Sequence, residues 1–203
     1  MKILLKENYF ENPNLIRRIG LSMKNYTVNN TLSYPHMGWR GQRTEELHKL
    51  NDEFLNKISQ NIFNLCYEYF NLDNFIYPHN KIKPKDLNIA TYFHINTENC
   101  KKSFPDFYQD KFHKDFGAAV TGVVYLTPNA PTNSGTSILD GENNKIVNIE
   151  NKYNRLIAFE SSRIHSPSDF FGTNTENGRM TFNFFILESD LINCKKGLSS
   201  TVG

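Results

Sequence analysis

The chain has 203 residues, with 23 basic and 21 acidic side chains and a formal net charge of +2. That length suits one domain, or one domain with a terminal extension, and can bury a core without disulfides or metal staples. Its 38% hydrophobic and 22% charged residues fit neither wholesale disorder nor a membrane protein, and the near-neutral balance argues against a broad basic grip on nucleic acid.

At the N-terminus, Ile3, Leu4 and Leu5 are too short an apolar run for a secretory signal. Asn12-Pro13 reads as a helix start, and Leu15, Ile16, Ile19 and Met23 recur near helical spacing up to about Lys24. The stretch Tyr34 to Gly41 is interrupted by Pro35, Gly38 and Gly41 and reads as a structured loop. Within it, Trp39 and Arg40 either anchor packing or line a groove. Thr44 is expected to cap a long helix, with Glu45 and Glu46 facing the positive end of its dipole. Leu47, Leu50, Phe54, Ile58, Ile62 and Leu65 would form its apolar stripe, ending near Phe70. A polar connection follows from Asn71 to Asp86.

From Leu87 the period drops to two. Strand-like segments run over 87–95, 119–126, 136–139, 145–149, 155–159 and 180–187, separated by Pro128, Pro131, Gly135, Gly141 and Gly172. Many short strands between turn residues predict a sandwich or barrel, and the 13% aromatic content suits strand faces. The expected layout is a mostly helical extension over 1–84, a mainly β core over 85–190 and a tail over 191–203. Cys66, Cys100 and Cys194 are odd in number and lack CxxC spacing, which fits neither a disulfide framework nor a zinc knuckle. No run approaches the ~20 apolar residues of a membrane span. A soluble protein of the cytoplasm is expected.

The chemistry-bearing pattern lies in the β half. His113-Lys114-Asp115 precedes the apolar run Ala118 to Leu126, and residues two apart on a strand share a face. His165 follows a second apolar strand, Leu156 to Phe159. Two neutral imidazoles and one carboxylate are what a non-haem Fe(II) site uses, and zinc could take the same set. Arg179 opens the strand up to Ile186 and shares a face with Thr181 and Asn183. Facing inward, it needs an anion: an Asp or Glu of the protein, or a bound carboxylate held by bidentate bonds. His36, His48, His79 and His94 have no matching partner pattern. His48 is expected to face solvent from the long helix, and His94 to be a hydrogen-bonded strand histidine. Arg163 supports the site from behind or is simply exposed, and nothing requires Glu160 as a ligand.

HxD, a distal His and RxT at this spacing resemble the Fe(II)/2-oxoglutarate-dependent oxygenases, above all the prolyl-hydroxylase-like branch with its small phage-type members. Gly122 to Pro128, Ser134-Gly135-Thr136 and Asn154 to Phe159 resemble strands and a glycine turn of that branch. The likeness covers about residues 85–190. It implies a double-stranded β-helix, a jelly-roll or cupin-like core, with His113, Asp115 and His165 as iron ligands. Arg179 would bind the distal carboxylate of 2-oxoglutarate with help from Thr181, and Tyr125 or Tyr92 would reach the same group. A core tyrosine bonded to backbone is the plainer account of either ring. The implied activity uses O2 and 2-oxoglutarate to hydroxylate a C–H bond of a protein or small molecule, in the host cytoplasm if the gene is a phage's.

Two other readings remain open. One is a nucleic-acid-directed, demethylase-like oxygenase; such proteins carry another Arg six residues after the co-substrate Arg, where this chain has Phe185. The other is a non-catalytic jelly roll that binds a ligand or partner. Substrate, oligomeric state and the shape of the rim loops over 97–110, 128–134 and 172–178 are not legible.

Overall fold

The computed structural model describes residues 1–23, 27–28, 41–74, 87–103, 112–115, 117–141 and 145–188. The Trp39–Arg40 loop, His36, His79, Cys194, positions 75–86 of the polar connection and the tail from 191 lie outside them. Ten strands and two α-helices are described: β1 (Ile3–Lys6), α1 (Pro13–Ser22), β2 (Thr27–Val28), β3 (Gln42–Arg43), α2 (Glu53–Phe70), β4 (Leu87–Asn96), β5 (Ala118–Tyr125), β6 (Thr136–Asp140), β7 (Lys145–Ile149), β8 (Leu156–Glu160), β9 (His165–Pro167) and β10 (Arg179–Glu188). The protein is mostly β, as expected.

Seven strands form one sheet in the order β1-β8-β5-β10-β4-β3-β2, and three form another in the order β7-β6-β9. β1 pairs with β8 at one edge, and β3 pairs with β4 near the other. The front of the chain is therefore woven into the large sheet as well as packed on it.

The large sheet sorts its side chains by strand period. Directly opposite residues share a face, so the register puts Phe93, Phe182, Val124 and Leu156 on one side. These join Ile16 of α1 and Leu55, Ile58, Ile62, Cys66 and Phe70 of α2 in one buried core. The other face presents Tyr125, Ile157 and Phe159, which pack with Ile138 and Ile149 of the small sheet. The two sheets thus face each other, and the helices back the large one.

The long helix starts later than its sequence suggested. Asn51 takes a left-handed backbone (φ 51°), which closes a short 3-10 turn over Leu47–Leu50. Asp52 then caps α2, its side chain accepting from Leu55 N at 3.0 Å. Thr44 is not that cap: its hydroxyl accepts from Phe93 N at 3.0 Å and its N–H donates to Phe93 O, extending the β3–β4 pairing. The break shifts the helical phase, so Leu50 and Phe54 are exposed at 40% and 44%. Leu55, Ile58, Ile62, Cys66 and Phe70 make the buried stripe instead. His48, expected on that helix, lies in the 3-10 turn with Nδ1 3.4 Å from Glu46.

Candidate metal centre

Three strand ends bring the His and Asp residues together. His113 and His165 bridge through their backbones, each N–H donating to the other's carbonyl at 2.9 Å. His165 begins β9 opposite Ile138 of β6. Asp115 N–H donates to Ser161 O at 3.2 Å, just beyond β8. The HxD segment is thus pinned between β8 and β9. It is not the start of a regular strand, but the two side chains still project together.

One ligand atom from each of His113, Asp115 and His165 falls within 4.8 Å of the other two. His165 Nε2 is 3.2 Å from Asp115 Oδ2, and His113 Nε2 is 3.8 Å from Asp115 Oδ1. Burial raises the Asp115 carboxyl, but the bond to His165, the charges of His165 and His113 and the Thr121 hydroxyl outweigh it and hold it at about 2. The carboxylate is therefore ionised at neutral pH.

The histidine tautomer tests whether a metal fits. His165 Nδ1 lies 2.9 Å from the carbonyl of Arg163. A carbonyl only accepts, so Nδ1 carries a proton and Nε2 is the atom turned toward the carboxylate oxygen. Two acceptors at that separation require a cation between them, a proton or a metal ion. This is how ligating histidines are oriented from behind. The Arg163 contribution comes through its backbone, since its guanidinium pairs with Glu160 at 3.4 Å. Glu160 is engaged there and does not join the ligand set. Phe159 closes one side of His165, its ring 4.7 Å away edge-on.

Arg179 stands at the start of β10, only 3% exposed. Its Nε donates to Ser134 O at 2.8 Å and its Nη2 to Gly135 O at 3.0 Å. Among the described residues no Asp or Glu pairs with it. An internal carboxylate partner, one of the two possibilities left by the sequence, is thus not found among them. Gly135 brings that carbonyl close: a Cβ there would collide with the Ile149 carbonyl and the Asn151 N–H.

Tyr125 is fully buried beside Arg179, with the guanidinium carbon 5.5 Å from its ring centre. Its hydroxyl bonds Thr136 Oγ1 at 2.7 Å, not backbone. Burial raises its pKa, against the pull of Arg179 and Thr136, so it remains a phenol at neutral pH. Thr181, directly opposite Tyr125, donates its hydroxyl to Asn183 Oδ1 at 2.6 Å. Tyr92 does not stand with Arg179. It lies opposite Asn183 and packs edge-on against Phe185 at 6.0 Å. His94 is buried on the same face, opposite Thr181, with Nε2 3.4 Å from Asn96 Nδ2.

Sequence reasoning missed three contributors. The Ser134 and Gly135 carbonyls carry no side-chain signal. Arg43 reaches this face from β3, a strand of two residues, too short for a period to register.

No protein-family model matches the sequence, and no curated protein matches it. Solved structures do match in fold. A prolyl-4-hydroxylase from Pseudomonas putida superposes with a TM-score of 0.57 at 10% identity, covering 92% of each chain. A prolyl hydroxylase from Trichoplax adhaerens, solved with a hypoxia inducible factor oxygen degradation domain peptide, gives 0.58 at 15% identity over 98% of this chain and 87% of that one. The non-heme alpha ketoglutarate dependent epimerase SnoN from nogalamycin biosynthesis gives 0.60 at 11% identity over 92% and 77%. SnoN has also been solved with Fe3+, alpha ketoglutarate and nogalamycin RO. The chain therefore shares the fold common to these prolyl hydroxylases and this alpha ketoglutarate dependent epimerase.

Proposed function

We propose that the protein is an Fe(II)/2-oxoglutarate-dependent oxygenase with a double-stranded β-helix core, in which His113, Asp115 and His165 hold the iron. The observation that carries this reading is Arg179: a buried guanidinium on the metal-site face, held by two carbonyls and paired with no carboxylate among the described residues. A dicarboxylate co-substrate supplies the missing charge.

When bound, iron and 2-oxoglutarate supply oxidative chemistry in which O2 yields succinate, CO2 and a hydroxylated C–H bond. The chain's own residues orient and shield. Asp115 offers an anionic oxygen, and His165 offers Nε2 because Nδ1 is committed to the Arg163 carbonyl. Arg179 holds the distal carboxylate by charge-assisted bonds, with the Tyr125 hydroxyl beside it. Thr181 joins them once its hydroxyl turns from Asn183. Phe159 and Ile138 keep water from the His165 side.

The substrate is a protein segment or a small molecule. Phe185 stands six residues after Arg179, where a nucleobase-directed relative would carry a second Arg, and this disfavours nucleic acid. Cys66 and Cys100 are not in disulfides, which suits a reducing cytoplasm.

Anaerobic addition of Fe(II) and 2-oxoglutarate should give a visible charge-transfer band, and admission of air should give succinate. His113→Ala should lose both. A folded wild-type protein with neither band nor succinate would sink the proposal.

A further inference from the structure

The co-substrate end of the site holds one hydroxyl with two claims on it. Arg179, Thr181 and Asn183 follow one another along the site face of β10. Thr181 stands directly opposite Tyr125, and the Arg179 guanidinium lies over the Tyr125 ring, 5.5 Å from its centre. Directly paired strand residues have Cβ atoms about 5 Å apart, so the Thr181 side chain borders the place where Arg179 would take its anion. Thr181 is buried, whereas Asn183 is half-buried.

The bond between them assigns its own proton. Thr181 Oγ1 and Asn183 Oδ1 are 2.6 Å apart. That length suits O–H···O and lies under the roughly 2.7–3.2 Å of N–H···O, so the amide turns its carbonyl to Thr181 and the hydroxyl donates. Among the described residues this is the one side-chain hydrogen bond of Thr181. A hydroxyl has a single proton to give. A carboxylate only accepts, so Thr181 holds one only by donating that same proton. The two bonds exclude each other.

Each bond serves a different state of the pocket. A buried hydroxyl left without an acceptor is costly, and Asn183 removes that cost while the pocket is empty. An arriving dicarboxylate has to displace this bond, and the open side of Asn183 lets water take the freed carbonyl. Building on the oxygenase reading, we infer that Asn183 is a positioning residue that sets 2-oxoglutarate affinity through Thr181. It keeps the Thr181 proton while the pocket is empty and gives it up when the distal carboxylate binds. Affinity is a difference between the two states. Removing the Asn183 acceptor raises the empty state and therefore tightens binding, the opposite of what losing a merely structural residue does.

The test is calorimetric titration of 2-oxoglutarate into the full chain with Fe(II) under anaerobic conditions, with thermal melts to establish folding. Asn183→Leu should bind about three- to tenfold tighter than wild type. In a Thr181→Val background the same change should leave affinity within about twofold, because the proton in dispute is gone. Asn183→Asp keeps an acceptor oxygen and should bind no tighter than wild type. If the leucine variant does not fold, Asn183→Ala removes the same acceptor and carries the same expectation. Unchanged or weaker binding without the acceptor, or equal tightening with and without the Thr181 hydroxyl, overturns the inference and leaves the oxygenase reading standing. Folded wild-type protein that takes Fe(II) but no 2-oxoglutarate overturns both.

Discussion

Arg179 shows how one buried charge can define a site. Its donors are held in a fixed plane by Ser134 and Gly135, and Tyr125 lies under the guanidinium. A lysine keeps the charge but cannot reproduce the fork. Arg179→Lys should therefore weaken 2-oxoglutarate by about tenfold or more, read by titrating the visible band, while Fe(II) affinity stays near wild type. Tyr125→Phe removes one neutral hydroxyl and should cost less, about three- to tenfold. His165 makes the complementary point. A backbone carbonyl two residues away keeps a proton on Nδ1, so Nε2 already faces Asp115, the orientation a metal-binding histidine would need.

At the level of elements, α2 and β10 divide the labour. β10 puts alternate residues on two surfaces: Met180, Phe182, Phe184 and Ile186 into the helix-backed core, Arg179, Thr181, Asn183 and Phe185 toward the site. α2 covers the first surface, and Ser59 ties it to β4 through the Thr91 hydroxyl at 2.9 Å. The helix packs on the sheet's core face, the opposite face from Arg179 and Tyr125. Removing its cap tests that separation. Asp52→Ala should lower unfolding free energy by about 1 kcal/mol in urea denaturation, with Fe(II) and 2-oxoglutarate binding unchanged. A loss of metal affinity out of proportion to the loss of stability would show that α2 positions the site as well. Cys66 on the same helix has its thiol pushed up to about 12 by burial, so it acts as a small apolar filler.

Across the whole molecule, the first residues fasten the strands that carry the site. β1 pairs with β8, and Asn154 closes a two-way bond with Phe10, accepting its N–H at 2.8 Å and donating to its carbonyl at 2.9 Å. Glu7 pairs with Arg155 at 2.7 Å and with Lys152 at 3.2 Å. The bond to Arg155 is the main reason the Glu7 carboxyl lies below its ordinary value of 4.5. A lowered folded pKa means stability that is complete above 4.5 and fades as pH falls through the lower folded value. Glu7→Gln should thus be less stable than wild type at neutral pH, with the gap closing in acid. Thermal melts of both proteins across that range check it, and a gap independent of pH would place the effect elsewhere. Among the described residues no helix is long and apolar enough to cross a membrane.

Much of the site was legible because its chemistry is local. Arg179, Thr181 and Asn183 follow strand period two, so spacing alone puts them on a common face. His113 and Asp115 are two residues apart but lie off any regular strand, and their backbone bonds to His165 and Ser161 bring them together. The strands of the second half were legible from the same period of two. What spacing could not reach were decisions made by contact between distant segments. Whether Arg179 answers a protein carboxylate depended on which groups the opposite sheet brings up, and it brings up two carbonyls. Tyr125 and Tyr92 were equal candidates until register put one beside Arg179 and the other beside Phe185. The start of α2 turned on one left-handed residue, Asn51, and on Thr44 being claimed by β4 before it could cap. β1 and β3 are strands only because β8 and β4 offer them unpaired edges; alone they are too short to declare a period. The sequence by itself determined the β character of the half that holds the candidate donors, and named those donors by residue type and spacing. Tertiary structure decided which charges meet, because burial and pairing are properties of the neighbours a residue acquires and not of the residue.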